Sequence, residues 1–225
     1  MKTNPSGVLA AAVGALVAVG LLVLMLVVVQ PRPAGATFPG PNGKIAYAAD
    51  DGEVPGGIDS EIYTIDPTGG MPFQVTDNDT EEGSPDYSPD GTKIAYSAFD
   101  GNDYEIYTIN ATGGAPFQVT DNDTYDQTPS YSPDGKKIAY SCYEGGNDLE
   151  ICTINTTGGT PFQVTKNTLK DEFEPDYSPN GKKLAYSGST GSDYEIYTIK
   201  VGGGGKNRVT NNDTQDSGPS WGSRP

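Results

Sequence analysis

The sequence predicts an all-β fold, a β-propeller of four four-stranded blades, and three observations predict it. A single motif fills almost the whole chain after residue 40 in four copies. Glu61, Glu105, Glu150 and Glu195 fall 44, 45 and 45 residues apart, and so do Val75, Val119, Val164 and Val209. A period near this length suits one propeller blade, and the long apolar 3.6-residue periodicity that a helical solenoid needs is missing.

Each copy then divides into strand-like runs. In the copy from Pro85 these are Asp86–Ser88, Lys93–Ser97, Glu105–Ile109 and Phe117–Thr120, rich in Ile, Val, Tyr, Phe and Thr, as half-buried pleated surfaces require. Between the first and second runs stands Ser88-Pro89-Asp90-Gly91, repeated at 132–135 and, with Asn180, at 178–181. Proline presets φ, Asp or Asn suits the next position, and Gly accepts positive φ at the exit, so a tight hairpin is expected. A Thr-Gly-Gly turn joins the third run to the fourth at Gly113-Gly114 and Gly158-Gly159.

The ends of the array complement each other. The first copy, entered near Gly43, supplies the second, third and fourth strands only, whereas Pro219-Ser220-Trp221-Gly222 reads as a lone first strand. A ring closed by this C-terminal strand, in a monomer, is the expectation. Ahead of the repeats, residues 1–36 form a separate unit. Residues 8–29 are an apolar run and Ala34-Gly35-Ala36 a small-residue cleavage pattern, which leaves a cleaved signal peptide and a retained hydrophobic-helix anchor both open. Either places residues 37–225 outside the cytoplasm, as secreted, periplasmic or membrane-anchored protein.

The chain's two cysteines fit that compartment. Cys142 stands where other copies have Ala48, Ala98 and Gly188, and Cys152 where they have Tyr63, Tyr107 and Tyr197. Paired changes on adjacent antiparallel strands point to a cross-strand disulfide; two buried thiols are the plainer alternative.

The signature P-D-Y-S-P-D-G-T-K-I-A-Y from Pro85, followed by E-I-Y-T-I and Q-V-T, resembles the TolB-like, or PD40, WD40-like β-propeller repeat, over residues 38–222. The resemblance implies the propeller fold and says little about a ligand. The family's namesake has six blades and an added α/β domain, so its role in an envelope complex is not expected of these four repeats.

Charge narrows the function classes. The chain carries 14 basic and 30 acidic side chains and no histidine, a net charge of −16. Nucleic-acid binding is excluded for want of clustered Lys and Arg. Without histidine, a Ser-His-Asp or Cys-His system and any His-ligated metal are excluded too. Up-and-down topology puts most acids at one face of the disc, while Lys93, Lys136, Lys137, Lys182 and Lys183 follow the hairpins of the other. One acid stands three residues before each inner-strand proline: Glu82, Asp126, Glu172 and Asp216. These four are candidates for a ring at the channel mouth that holds a cation or grips a basic peptide, with loop capping as the alternative. Asp77, Asp79, Asp121, Asp123 and Asp213 in the junction loops are candidate Ca²⁺ ligands without the glycine and glutamate spacing of an EF-hand. Exposed Tyr104, Tyr125, Tyr143 and Tyr194 near the same face fit a binding surface.

The resulting reading is an exported, non-catalytic binding module that presents an acidic face to a basic protein, a cell-wall component or a cation. A carboxylate-pair glycosidase or other hydrolase is the first alternative and a Ca²⁺-stabilised structural surface protein the second. The acids recur in every copy, whereas a catalytic pair is a local departure from symmetry.

Overall fold

Alternating apolar runs and Gly/Pro turns leave each repeat little choice but an antiparallel meander, and that is what forms. The computed structural model describes residues 43–50, 52, 59–143, 148–166 and 170–222. The expected leader at 1–36 lies outside them. Among the described residues no helix is long and apolar enough to cross a membrane.

The first sheet holds β1 (Ile45–Asp50), β2 (Ser60–Ile65) and β3 (Phe73–Gln74); the second holds β4 (Glu82–Tyr87), β5 (Lys93–Phe99), β6 (Tyr104–Asn110) and β7 (Phe117–Gln118). The third comprises β8 (Asp126–Tyr131), β9 (Lys137–Cys142), β10 (Glu150–Asn155) and β11 (Phe162–Gln163); the fourth comprises β12 (Glu172–Tyr177), β13 (Lys183–Ser189), β14 (Tyr194–Lys200) and β15 (Asn207–Arg208). Strands pair in sequence order, and all ladders are antiparallel. The hairpin chemistry is as anticipated. Gly91 takes φ 69° and its N–H reaches the Ser88 carbonyl at 2.8 Å, while the Ser88 hydroxyl donates to Asp90 Oδ1 at 2.7 Å.

Inner strands β4, β8 and β12 each slip register once, between Gly83 and Asp86, Gln127 and Ser130, Phe173 and Asp176. The bulged residues Ser84, Thr128 and Glu174 sit at φ 52°, 52° and 53°, a left-handed conformation costing of order 1–2 kcal/mol per non-glycine residue. The bulge re-aims the strand. Glu82, Asp126 and Glu172 before it turn in between sheets, and Asp86 and Asp176 after it reach the next inner strand.

The core is not one mass but three clusters, one at each interface between successive sheets. Ile62 and Val75 of the first sheet meet Ile94, Tyr96, Ala98 and Ile109 of the second. Ala95, Ile106 and Val119 meet Tyr131, Ile138, Tyr140 and the two cysteines of the third. Ala139, Ile151 and Val164 meet Tyr177, Leu184, Tyr186 and Ile199 of the fourth. Cys142 and Cys152 are disulfide-bonded, with Cα atoms 5.9 Å apart, within the range such a bridge requires.

Ring closure rests on residues 218–221, and the described residues show one side of it. Residues 218–221 do lie on the fourth sheet as an inner strand lies on the sheet before it. Gly218 repeats the left-handed bulge at φ 63°, and its N–H contacts Ser187 Oγ at 3.1 Å as Glu174 N–H contacts Ser141 Oγ at 3.1 Å. Yet among the described residues these positions form no ladder with β1, and the first sheet has three strands. The outer face of the fourth sheet is also uncovered: Val209 is 56% exposed, against 6%, 5% and 5% for Val75, Val119 and Val164.

Candidate functional site

The acids are placed by the junction loops, and the loop sequence explains how. In the Thr-Asp-Asn-Asp-Thr loops, the Asn side-chain oxygen accepts the N–H two residues on, Asn78 from Thr80 and Asn122 from Thr124, both at 2.8 Å. That turn frees the Asn N–H and Nδ2 to bridge two carboxylates. Asn78 N–H donates to Glu61 Oε1 at 2.7 Å and its Nδ2 to Glu82 Oε1 at 2.8 Å. Asn122 does the same for Glu105 Oε1 at 2.5 Å and Asp126 Oδ2 at 2.9 Å, and Asn212 for Glu195 and Asp216 at 2.8 Å each.

Three of the four expected ring acids are thus buried between sheets: Glu82 is 4% exposed, Asp126 and Glu172 1%. Asp216 is half-buried on the uncovered fourth sheet. Glu82, Asp126 and Asp216 are held by their own loop asparagines, and Glu172 pairs with Lys206 at 2.5 Å. The candidate metal ligands Asp77, Asp79, Asp121, Asp123 and Asp213 are all exposed, and the structure does not gather them. It gathers Asp100, Asp103 and Glu105 instead, whose ligand oxygens lie within 4.8 Å of one another.

A further acid pair escaped the sequence reading. Asp86 Oδ2 accepts the Tyr131 N–H, and Asp176 Oδ2 the Trp221 N–H, each at 2.6 Å. Ser130 donates to Asp176 Oδ1 at 3.3 Å. The signal was present in the alternation Pro-Asp-Tyr, Pro-Ser-Tyr, Pro-Asp-Tyr, Pro-Ser-Trp at 85, 129, 175 and 219. Burial, with the charge of Asp176 adding to it, pushes the Asp86 carboxyl up to about 7.

Burial likewise pushes Glu82 to about 7, with Glu61 as a like-charged neighbour. Burial and the Glu105 charge push Asp126 to about 8. For Glu82 and Asp86 the folded state holds protons that the unfolded chain releases near its ordinary values of 4.5 and 3.8. Stability therefore falls as pH rises through the window from about 4 to about 7 and is level above it. A higher melting temperature near pH 5 than near pH 8 is expected, with the difference reduced in Glu82→Gln; scanning calorimetry across the range checks it.

The same face carries a row of rings. Phe99 meets Tyr104 at 5.7 Å between centroids, Tyr104 meets Tyr125 at 6.0 Å, and Tyr125 meets Tyr143 at 6.3 Å. The Tyr104 hydroxyl donates to Glu81. Asp123, Thr124, Tyr125, Gln127, Tyr143 and Leu149 line a concave pocket of about 530 Å³, and Tyr125 is 48% exposed. Phe173 and Tyr194 form a separate edge-to-face pair at 5.0 Å.

Comparison with known proteins settles the family. The model of the PD40 family, the TolB beta propeller domain, matches residues 38–224. The chain belongs to the TolB β-propeller family. Among solved structures, a putative TolB from Agrobacterium tumefaciens superposes with a TM-score of 0.64 at 23% identity, covering 72% of this chain and 60% of that one. TolB from Acinetobacter baumannii gives 0.64 at 26% identity, covering 75% and 41%. An oligogalacturonate lyase in complex with manganese shares the fold at a TM-score of 0.54 and 19% identity, covering 69% and 43%. This TolB-family propeller thus spans between two fifths and three fifths of the TolB chains it matches. No curated protein sequence matches it.

Proposed function

We propose that this TolB-like propeller is an exported, non-catalytic binding module whose acidic face grips a basic segment of a protein or cell-envelope component. The row Phe99–Tyr104–Tyr125–Tyr143 beside Glu81 and Asp123 carries the reading. Tyrosines in edge-to-face and tilted contact offer large rigid contact area at low entropic cost, and surrounding carboxylates select and steer a cationic partner. Export is supported by the apolar segment at 8–29 and by the Cys142–Cys152 bridge, which persists in an oxidising compartment.

Against a hydrolase stands the position of the carboxyl pairs. Glu105 is fully buried and its neighbour Asp126 is 1% exposed, so substrate has no path to the carboxyl groups best tuned for acid–base work. The pairing also recurs along the array, as structural acids do. Binding of a short Lys/Arg-rich peptide, followed by fluorescence anisotropy, tests the proposal: Tyr125→Ala together with Tyr143→Ala is expected to weaken it at least about tenfold.

A further inference from the structure

Repeats offer an internal comparison that a single site cannot, and here the second and fourth sheets differ informatively. The β5–β6 loop runs Asp100-Gly101-Asn102-Asp103-Tyr104-Glu105, and its counterpart between β13 and β14 runs Thr190-Gly191-Ser192-Asp193-Tyr194-Glu195. Two residues along from each glutamate, Tyr107 is paired with Gln118 of the last strand and Tyr197 with Arg208.

In the fourth sheet every change supplies a donor. Thr190 Oγ1 donates to Asp193 Oδ1. Arg208 Nη2 pairs with Glu195 Oε1 at 2.5 Å. The guanidinium also acts on the Asp193 charge. Although burial alone raises the Glu195 carboxyl, the bonds from Thr210, Asn212 and Arg208 outweigh it and bring it down to about 2.

In the second sheet the same places supply acid and no cation. Thr190 becomes Asp100, and Arg208 becomes the neutral Gln118. Asp103 is 3% exposed and Glu105 fully buried. Asp103 Oδ2 accepts from Asn102 Nδ2 at 3.1 Å, but Asp103 Oδ1 and Glu105 Oε2 receive no hydrogen bond. Glu195 Oε2 is likewise unbonded, but unlike Glu195, Glu105 has no cation beside it among the described residues. Asp100 Oδ1 binds the N–H groups of Asn102 at 2.8 Å and Asp103 at 3.2 Å, which fixes the loop and holds its carboxylate on the exposed side of the cluster. Leaving such oxygens buried beside a third negative charge is costly unless something positive sits among them.

We infer that Asp100, Asp103 and Glu105 form a binding site for one Ca²⁺ ion, whose place in the fourth sheet is taken by the side chains of Arg208 and Thr190. The spacing suits the ion. Oxygens about 2.4 Å from a shared Ca²⁺ lie at most about 4.8 Å apart, and the three ligand oxygens here lie within 4.8 Å of one another. An all-oxygen, all-carboxylate donor set selects a hard cation over zinc or copper. The exposed Asp100 gives the ion an entrance, with Asp103 and Glu105 as the buried floor. The site does not rest on the peptide-binding reading, although Phe99 and Tyr104 of the ring row flank its ligands in the chain.

The experiment uses the full chain after chelator treatment, with Tb³⁺ and Ca²⁺ alone as probes. Tyr104 stands between two ligands in sequence, so excitation of tyrosine should give Tb³⁺ emission that Ca²⁺ displaces. Ca²⁺ should also raise the melting temperature, with half-saturation at about 10⁻⁴–10⁻³ M, as in extracellular sites. Asp100→Asn, at an exposed position, should weaken both responses at least about tenfold. Gln118→Arg should fold without metal and abolish both, as the transplanted guanidinium occupies the place of the ion. Asp213→Asn should leave both unchanged. Responses in Asp100→Asn and Gln118→Arg equal to those of the parent chain would place the ion elsewhere and overturn the assignment. No response of the parent chain up to about 10 mM Ca²⁺, well above that affinity range, would overturn it equally.

Discussion

Replacing Ile106 by Ala is expected to cost about 2–5 kcal/mol, while the same change at its repeat counterpart Ile196 costs less than half as much. Ile106 is fully buried at the interface between the second and third sheets, as Ile62 and Ile151 are at theirs. Ile196 is only half-buried, because no sheet follows the fourth. Large-to-small changes in a packed core lose transfer energy and leave a cavity, whereas a partly exposed side chain relaxes into solvent. Urea unfolding of both variants checks the difference through the midpoint at unchanged slope. Equal costs would mean that the face of Ile196 and Val209 is covered in solution, by the first sheet or a second copy.

The second large effect is expected at the disulfide. In the first, second and fourth sheets the corresponding pair is a small residue and a tyrosine, and that tyrosine stacks on its strand neighbour: Tyr63 on Tyr47, Tyr107 on Tyr96 and Tyr197 on Tyr186, at 5.8, 5.9 and 5.7 Å. In the third sheet Cys152 takes the place of the ring and bonds to Cys142 instead. Cys142 and Cys152 are 10 positions apart, and closing so short a loop in the unfolded chain is worth about 2–3 kcal/mol. Cys142→Ser with Cys152→Ser should lower the unfolding midpoint by that amount and remove its sensitivity to reductant. A parent chain whose midpoint ignores reductant would refute the structural role of the bridge.

Much of this was legible in the residues, for physical reasons. A period of 44–45 residues, tight Ser-Pro-Asp-Gly turns and β-branched runs allow little besides repeated antiparallel sheets, and the paired Cys substitutions named their own bridge. The lone Pro219–Gly222 segment matches an inner strand locally, down to the Gly218 bulge and the Trp221 N–H on Asp176. The acids were found, but their orientation was not. Bulges at Ser84, Thr128 and Glu174 swing Glu82, Asp126 and Glu172 into the sheet interfaces, and nothing in β-branched patterning signals a left-handed threonine. Asp100, Asp103 and Glu105 emerge as the gathered group because one loop and one strand start bring them together, whereas alternate acids in Asp77-Asn78-Asp79 spread outward around an asparagine turn.

The proposed recognition of a basic partner by the tyrosine row is open to a direct test. The most direct measurement is the affinity of a short Lys/Arg-rich peptide by anisotropy, at low and at physiological salt. The parent chain is compared with Tyr125→Ala/Tyr143→Ala and with Lys136→Ala/Lys137→Ala on the opposite face. The account predicts binding that weakens with salt, falls at least about tenfold in the tyrosine variant and is unchanged in the lysine variant. Absence of binding at low salt, or equal affinity in the parent chain and the tyrosine variant, would contradict it.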